Sequence, residues 1–277
     1  MVRVKHYDFL RFLGVLIIIY SHTGLLDFIF QLRNFGTPLL IFASGLTVSY
    51  IYSNRKLVFK YFIFRRMERL FYPAWIFLTF FFIVYWLVSF AFSLDFPFDF
   101  RKVLLSYIFL GGITFMWIVY VYFALALLTP IALWSALKIR TPVWYLVAFL
   151  ILIFLQEYIY INTRFESRDV SLVFDKLVMV WLPYGLVYIL GMIVPSWSRS
   201  QILMVFSFLA LGFFVMGFSN GFEYTQDYKY PPRAYYLLYA VSAVLVVYLV
   251  TKKMSRLYNT HFVTWCSSNS YWVYLWH

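Results

Sequence analysis

The chain has 277 residues, 64% hydrophobic, 25% aromatic and only 12% charged, with a mean hydropathy of +0.80; a soluble domain is about half apolar and about a quarter charged, so a single aqueous globule is excluded and a bilayer must act as solvent. The formal charge of +12 does not mark a nucleic-acid surface, because the basic residues sit in short segments between apolar runs, the arrangement that orients membrane proteins. The single cysteine, Cys266, excludes an internal disulfide and any multi-cysteine metal site.

A membrane helix needs roughly 20 apolar residues. In chain order, such runs predict full spans over residues 9–30, 36–52, 71–92, 116–137, 143–160, 173–194, 202–218 and 235–250, with a ninth beginning near Ser270 and cut off at His277. Residues 103–112 are too few to span and end in Gly111-Gly112, which predicts an interfacial or re-entrant segment. The first run is too long for a cleaved signal peptide, carries Arg11 and His22, and is followed by no small-residue cleavage site. The fold class expected is therefore all-α, a polytopic integral membrane helical bundle with no soluble domain.

Charge sets the expected orientation. With the N-terminus in the cytoplasm and the spans alternating, fourteen of the 23 Lys and Arg fall in inner segments beside two acids, and eight fall outside beside nine acids. That asymmetry favours a cytoplasmic N-terminus and eight complete spans before the basic group at Lys252, Lys253 and Arg256.

Three clusters carry chemistry. Arg11 and His22 are eleven residues apart, which on a helix brings them within roughly 20° of one face and separates them by about 16 Å. Asp8 lies on nearly the same face, and charged groups in a span usually face the bundle interior. Arg11 alone is equally consistent with snorkelling to the headgroups, and His22 alone with a structural hydrogen bond. The second cluster, Arg65-Arg66-Met67-Glu68-Arg69 with Pro73 soon after, enters a helix from the cytoplasmic side. Its forked donors suit phosphates; anionic lipid is the other reading. The third is the outer loop from Glu223 to Arg233. There Lys229, Tyr230 and Arg233 flank a stiff Pro231-Pro232 and are candidates to bind an acceptor, against the plainer reading of an interfacial aromatic belt.

Together these residues give a specific resemblance. Arg11, ten residues and His22 resemble the arginine–histidine signature of acyltransferase family 3. Phe42-Ala43-Ser44-Gly45-Leu46 is similar to its Ser-Gly step in helix two, and Arg66-Met67-Glu68-Arg69 with Pro73 to its Arg-x-x-Arg element and trailing proline. Trp117 through Pro130 and Ser270 through His277 resemble two further helices of the family. The resemblance implies a single transmembrane acyltransferase domain over residues 1–277, ten helices of which about nine are present, and truncation at the C-terminus. It also implies a multi-pass protein of the cell (plasma) membrane, with a cytoplasmic acyl-CoA donor, usually acetyl-CoA. The acceptor implied is a cell-envelope glycan or lipid-linked saccharide.

Acyl transfer to a hydroxyl needs a base for the proton and donors for the oxyanion. An imidazole titrates near neutral pH, so His22 is the expected base. Arg11, with Arg65, Arg66 and Arg69, is expected to hold the donor's phosphates. No metal and no nucleic acid are expected; the partners are membrane lipid, acyl-CoA and the saccharide acceptor. An ion or small-molecule transporter using the same Arg and His, and a non-catalytic scaffold, are the alternatives. No paired intramembrane acids or twin broken helices favour transport.

Overall fold

The structure is a computed structural model that describes residues 3–24, 26–113, 116–163, 168–258 and 260–277. Among them the regular elements are all helices. They are α1 (Lys5–Tyr20), α2 (Asp27–Leu32), α3 (Gly36–Tyr52), α4 (Phe59–Ala91), α5 (Phe100–Tyr107), α6 (Trp117–Lys138), α7 (Pro142–Asn162), α8 (Arg168–Ile193), α9 (Arg199–Asn220), α10 (Ala234–Lys252), α11 (His261–Ser268) and α12 (Ser270–Trp276). Of the charges counted on the outer side, Arg164 and Glu166 lie outside the described residues.

Seven of the eight complete predicted spans correspond to helices long and apolar enough to cross a membrane. The count of about nine is corrected to seven candidate spans among the described residues. The first run is not one span: α1 has 16 residues, about 24 Å at roughly 1.5 Å per residue, and stops at Tyr20. The Ser21 hydroxyl donates to Ile18 O at 2.5 Å and the Thr23 hydroxyl to Tyr20 O at 2.8 Å. Gly24 then takes φ +69°. Hydroxyls that bond back to the last turn, followed by a left-handed glycine, end a helix. The second predicted span is the first crossing helix, which combines α2 and α3 over Asp27–Tyr52. The ninth run is α12, seven residues from Ser270, where the sequence places its start, and too short to count as a crossing helix. The expected short segment is present: α5 has eight residues, is capped by Asp99 accepting from Lys102 N at 2.7 Å, and leads into Gly112 at φ +75°.

The chain divides into two compact units, Met1–Arg55 with Ile131–Tyr271, and Lys56–Pro130 with Trp272–His277. In the first, α3 is buried along most of its length, from Gly36 to Val48. It is apolar on every side, so it sits inside, between α1 and α8. The α3–α8 crossing is a backbone contact. A Cβ on Gly45 would meet Tyr188 O at 2.1 Å, and one on Gly191 would meet Phe42 O at 2.2 Å. Small residues at helix crossings allow this approach in membranes, where dispersion rather than water drives association. Ser49 seals the contact by donating to Met192 O at 2.9 Å.

In the second unit α4 has 33 residues, about 50 Å, longer than the roughly 30 Å hydrocarbon core. Its basic first turns therefore extend past the apolar part. Pro73 removes the amide that would bond the Arg69 carbonyl. Trp75 Nε1 donates to Tyr107 O at 3.0 Å and Phe71 packs on Phe109, with ring centroids 5.0 Å apart. Ile76, Phe80, Ile83, Leu87 and Phe90, spaced three or four apart, are all exposed. Such an apolar stripe is intolerable in water and ordinary against lipid.

Candidate active site

Within the first unit α1 and α3 run antiparallel. Arg11 reaches Thr47, Gly14 faces Leu40, and Gly36 faces Ile17 and Ile18. This register fixes what lies at each end.

At the N-terminal end of α1, Asp8 is 6% exposed and is surrounded by donors. Arg3 pairs with it, Ser267 Oγ donates at 2.9 Å, and Arg11 Nη1 lies 3.4 Å away. Arg11 also donates to Thr47 Oγ1 at 3.0 Å and to Ser267 Oγ at 3.4 Å, while Arg3 reaches Thr264 O at 3.2 Å. A buried carboxylate needs such compensation. Arg11 is thus a fixed member of a network joining α1, α3 and α11, rather than a side chain snorkelling outward. His6, which the sequence gave no reason to single out, is buried and bonds Thr251 Oγ1 on α10 at 2.9 Å, its ring 5.3 Å from that of Tyr248.

At the other end His22 follows α1 in a tight turn, its amide bonded to Ile19 O at 3.0 Å, and its side chain is exposed. It is not within an unbroken span, as its position in the apolar run predicts; the Ser21–Gly24 stop places it just past the helix. The α2–α3 turn is at this same end, because Gly36 packs on Ile17 and Ile18. The turn is bound to the loop before α10. Asn34 Nδ2 donates to Thr225 Oγ1 at 3.1 Å, Gln31 Oε1 accepts from Thr225 Oγ1 at 3.1 Å and from Gln226 N at 3.3 Å, and Tyr239 OH donates to Leu32 O at 2.5 Å. His22 and the Lys229–Arg233 loop therefore share one end of the unit.

The three loop residues have different surroundings. Arg233 donates from Nε to Glu157 Oε1 at 2.9 Å, pairs with it again through Nη2, and stacks over Tyr228 and Tyr160. Its charge is answered inside the protein. Lys229 is only 7% exposed, with no carboxylate within ion-pair distance among the described residues; its ammonium lies 5.3 Å from the centroid of the Tyr230 ring. Burial, together with the neighbouring Arg33 charge, pulls the Lys229 amine down to about 7. Tyr230 is exposed at the rim.

In the second unit Arg65, Arg66 and Arg69 fall within about one turn of α4, so positions three and four apart share a face. Arg65 donates to Tyr61 OH at 3.0 Å and lies 3.6 Å from Glu68; Arg66 sits over the Phe62 ring. Arg65 and Arg69 are exposed and Arg66 is half-buried. Among the described residues no group of three or more His, Cys, Asp or Glu is placed to hold a metal ion.

Among the described residues, seven apolar helices of crossing length and an apolar outer stripe define a multi-pass membrane protein. Residues 4–277 match the sequence profile of acyltransferase family 3, described as an acyltransferase domain, so the chain belongs to that family and is an acyltransferase. No curated protein and no solved structure matches it.

Proposed function

We propose that this acyltransferase moves an acyl group, typically acetyl, from cytoplasmic acyl-CoA to a hydroxyl of an extracytoplasmic saccharide of the cell envelope, with the N-terminus in the cytoplasm of a plasma-membrane protein. The observation that carries the reading is the polarity of the first unit. Arg11 is anchored near one end of α1, and His22 is presented at the other, the end that also bears the Lys229–Arg233 loop. Donor chemistry belongs to basic groups and acceptor chemistry to the imidazole and the loop. Arg65, Arg66 and Arg69 take the donor's phosphates through charge-assisted hydrogen bonds. Arg11 keeps the start of α1 in register.

His22 acts as general base. It accepts the acceptor's hydroxyl proton as that oxygen attacks the thioester carbonyl carbon; the C–S bond breaks, and the imidazolium returns the proton to the departing thiolate. The products are an ester and CoA thiol, with nothing left over. Direct transfer needs no covalent enzyme intermediate.

The test is acyl transfer in proteoliposomes given radiolabelled acetyl-CoA on one side and a saccharide acceptor on the other. Label on the saccharide, dependent on the protein, supports the reading. Label retained wholly in acetyl-CoA across a panel of envelope saccharides overturns it.

A further inference from the structure

The charge at the His22 end of the first unit is unbalanced. Arg33, closing α2, and Lys229, before α10, are brought to the same end of the unit by the bonds from Gln31 and Asn34 to Thr225 and Gln226, and the Arg33 charge acts on the Lys229 amine; among the described residues neither has a carboxylate at ion-pair distance. Arg33 Nε is buried and has no hydrogen-bond partner among the described residues, while the guanidinium carbon lies 3.8 Å from the centroid of the Phe30 ring. Lys229 is the most buried of the loop's charges. A buried ammonium beside a half-buried guanidinium opposes folding unless something offsets it. With no counter-charge among the described residues, they form half of an ion pair.

The pair is held in place from several sides. The Gln31 and Asn34 side chains bond Thr225 and Gln226 just before Lys229, Gln156 Nε2 donates to Pro232 O at 2.8 Å just after it, and the Arg233–Glu157 pair follows. Tyrosines complete the surroundings: Tyr230 and Tyr236 are close enough to Arg33 to interact with it electrostatically. A guanidinium and an ammonium bind one anionic group well, and the exposed Tyr230 ring beside them suits the apolar face of a sugar, while Tyr236 is fully buried behind it.

We propose that Arg33 and Lys229 bind a carboxylate or phosphate carried by the saccharide acceptor, so that the acceptor is an anionic sugar held at the His22 end of the bundle. This deepens the acyl-transfer reading and rests on it for the word acceptor; the anion site itself does not.

Binding is measured by calorimetry and thermal shift on the full chain, in nanodiscs of neutral lipid, with glucuronate, glucose 6-phosphate and glucose as probes. At least one of the two anionic sugars should bind about tenfold or more tighter than glucose, since one charge-assisted hydrogen bond alone contributes that much. Lys229→Gln should lose most of that preference and Lys229→Arg should keep it. Equal binding of glucose and both anionic sugars by the parent overturns the proposal without any variant, and so does a Lys229→Gln protein with undiminished preference. If phosphatidylglycerol in the disc abolishes sugar binding and itself gives the Lys229-dependent shift, the pair is a lipid headgroup site and the proposal is wrong. Acetyl-CoA binding on the same samples separates the two readings. Sugar selectivity without acetyl-CoA binding sinks the donor assignment and leaves the anion site standing; acetyl-CoA binding without sugar selectivity does the reverse.

Discussion

Glu157 and Arg233 make the tightest polar contact between α7 and the start of α10. One carboxylate oxygen receives the Arg233 guanidinium, and the other accepts the amide of Ala234 at 3.1 Å. A carboxylate at a helix N-terminus also meets the positive end of its dipole. Both side chains are largely withdrawn from solvent, so removing one leaves the other stranded. Glu157→Gln is expected to destabilise by about 3 kcal/mol. Glu157→Gln with Arg233→Met should cost less than the sum of the two single changes. Thermal unfolding of the four proteins of this cycle in one detergent is the measurement, and additive losses would show that the pair is not coupled.

Gly45 is expected to be irreplaceable for a steric reason. The nearest atom to an added Cβ is a backbone oxygen, at 2.1 Å, and cannot rotate away. Gly45→Ala should cost about 1–3 kcal/mol or more through forced separation of α3 and α8. Gly111→Ala, whose Cβ would meet nothing closer than 3.5 Å, is the control and should be mild. Yield of folded protein and melting temperature decide between them.

Arg66→Ala and Arg69→Ala should each weaken acyl-CoA binding by roughly 1.5–3 kcal/mol, tenfold or more, if they grip phosphate. Melting temperature should hardly move, because neither residue makes an ion pair among the described residues. Unchanged CoA affinity in both variants would assign the cluster to membrane orientation alone.

His22→Ala should abolish transfer and leave acetyl-CoA affinity nearly as in the parent, because a base acts in the transition state and the nucleotide end supplies donor affinity. Its exposure past the end of α1 makes a folding defect unexpected. Arg11→Ala should differ, lowering melting temperature with activity, since it strands Asp8 in part. A His22→Ala protein that transfers at the parent's rate would end the general-base assignment.

Lys229 makes stability depend on pH. Its folded value is about 7 against the usual 10.5. In that window the unfolded chain holds a proton that the folded chain has released, so stability rises with pH; below about 7 the full cost of the buried charge is present. Arg33 and Tyr230 are the charged and titratable groups beside it. Lys229→Met should therefore melt above the parent at about pH 6, with the gain shrinking by about pH 10. A constant difference between the two proteins at all pH values would show that the amine is not depressed.

The membrane class, the all-helical fold and seven crossing helices were legible in the sequence, because a span announces itself by length and apolarity and needs no knowledge of its neighbours. The Ser-Gly step was legible as a motif, but its reason, the Tyr188 carbonyl 2.1 Å from an added Cβ, belongs to a second helix. The end of α1 was also written locally, in Ser21-His22-Thr23-Gly24, a helix-stop signal masked by the apolar run on both sides. The charge clusters were not. Asp8 meets Ser267, Asn34 meets Thr225 and Glu157 meets Arg233 across 259, 191 and 76 positions of chain. Hydropathy reports what each residue does to its own helix; only packing decides which charges are answered. That is why Arg233, Lys229 and Tyr230, alike as loop residues in sequence, are separated by the tertiary structure into a neutralised latch, a buried cation and an exposed rim.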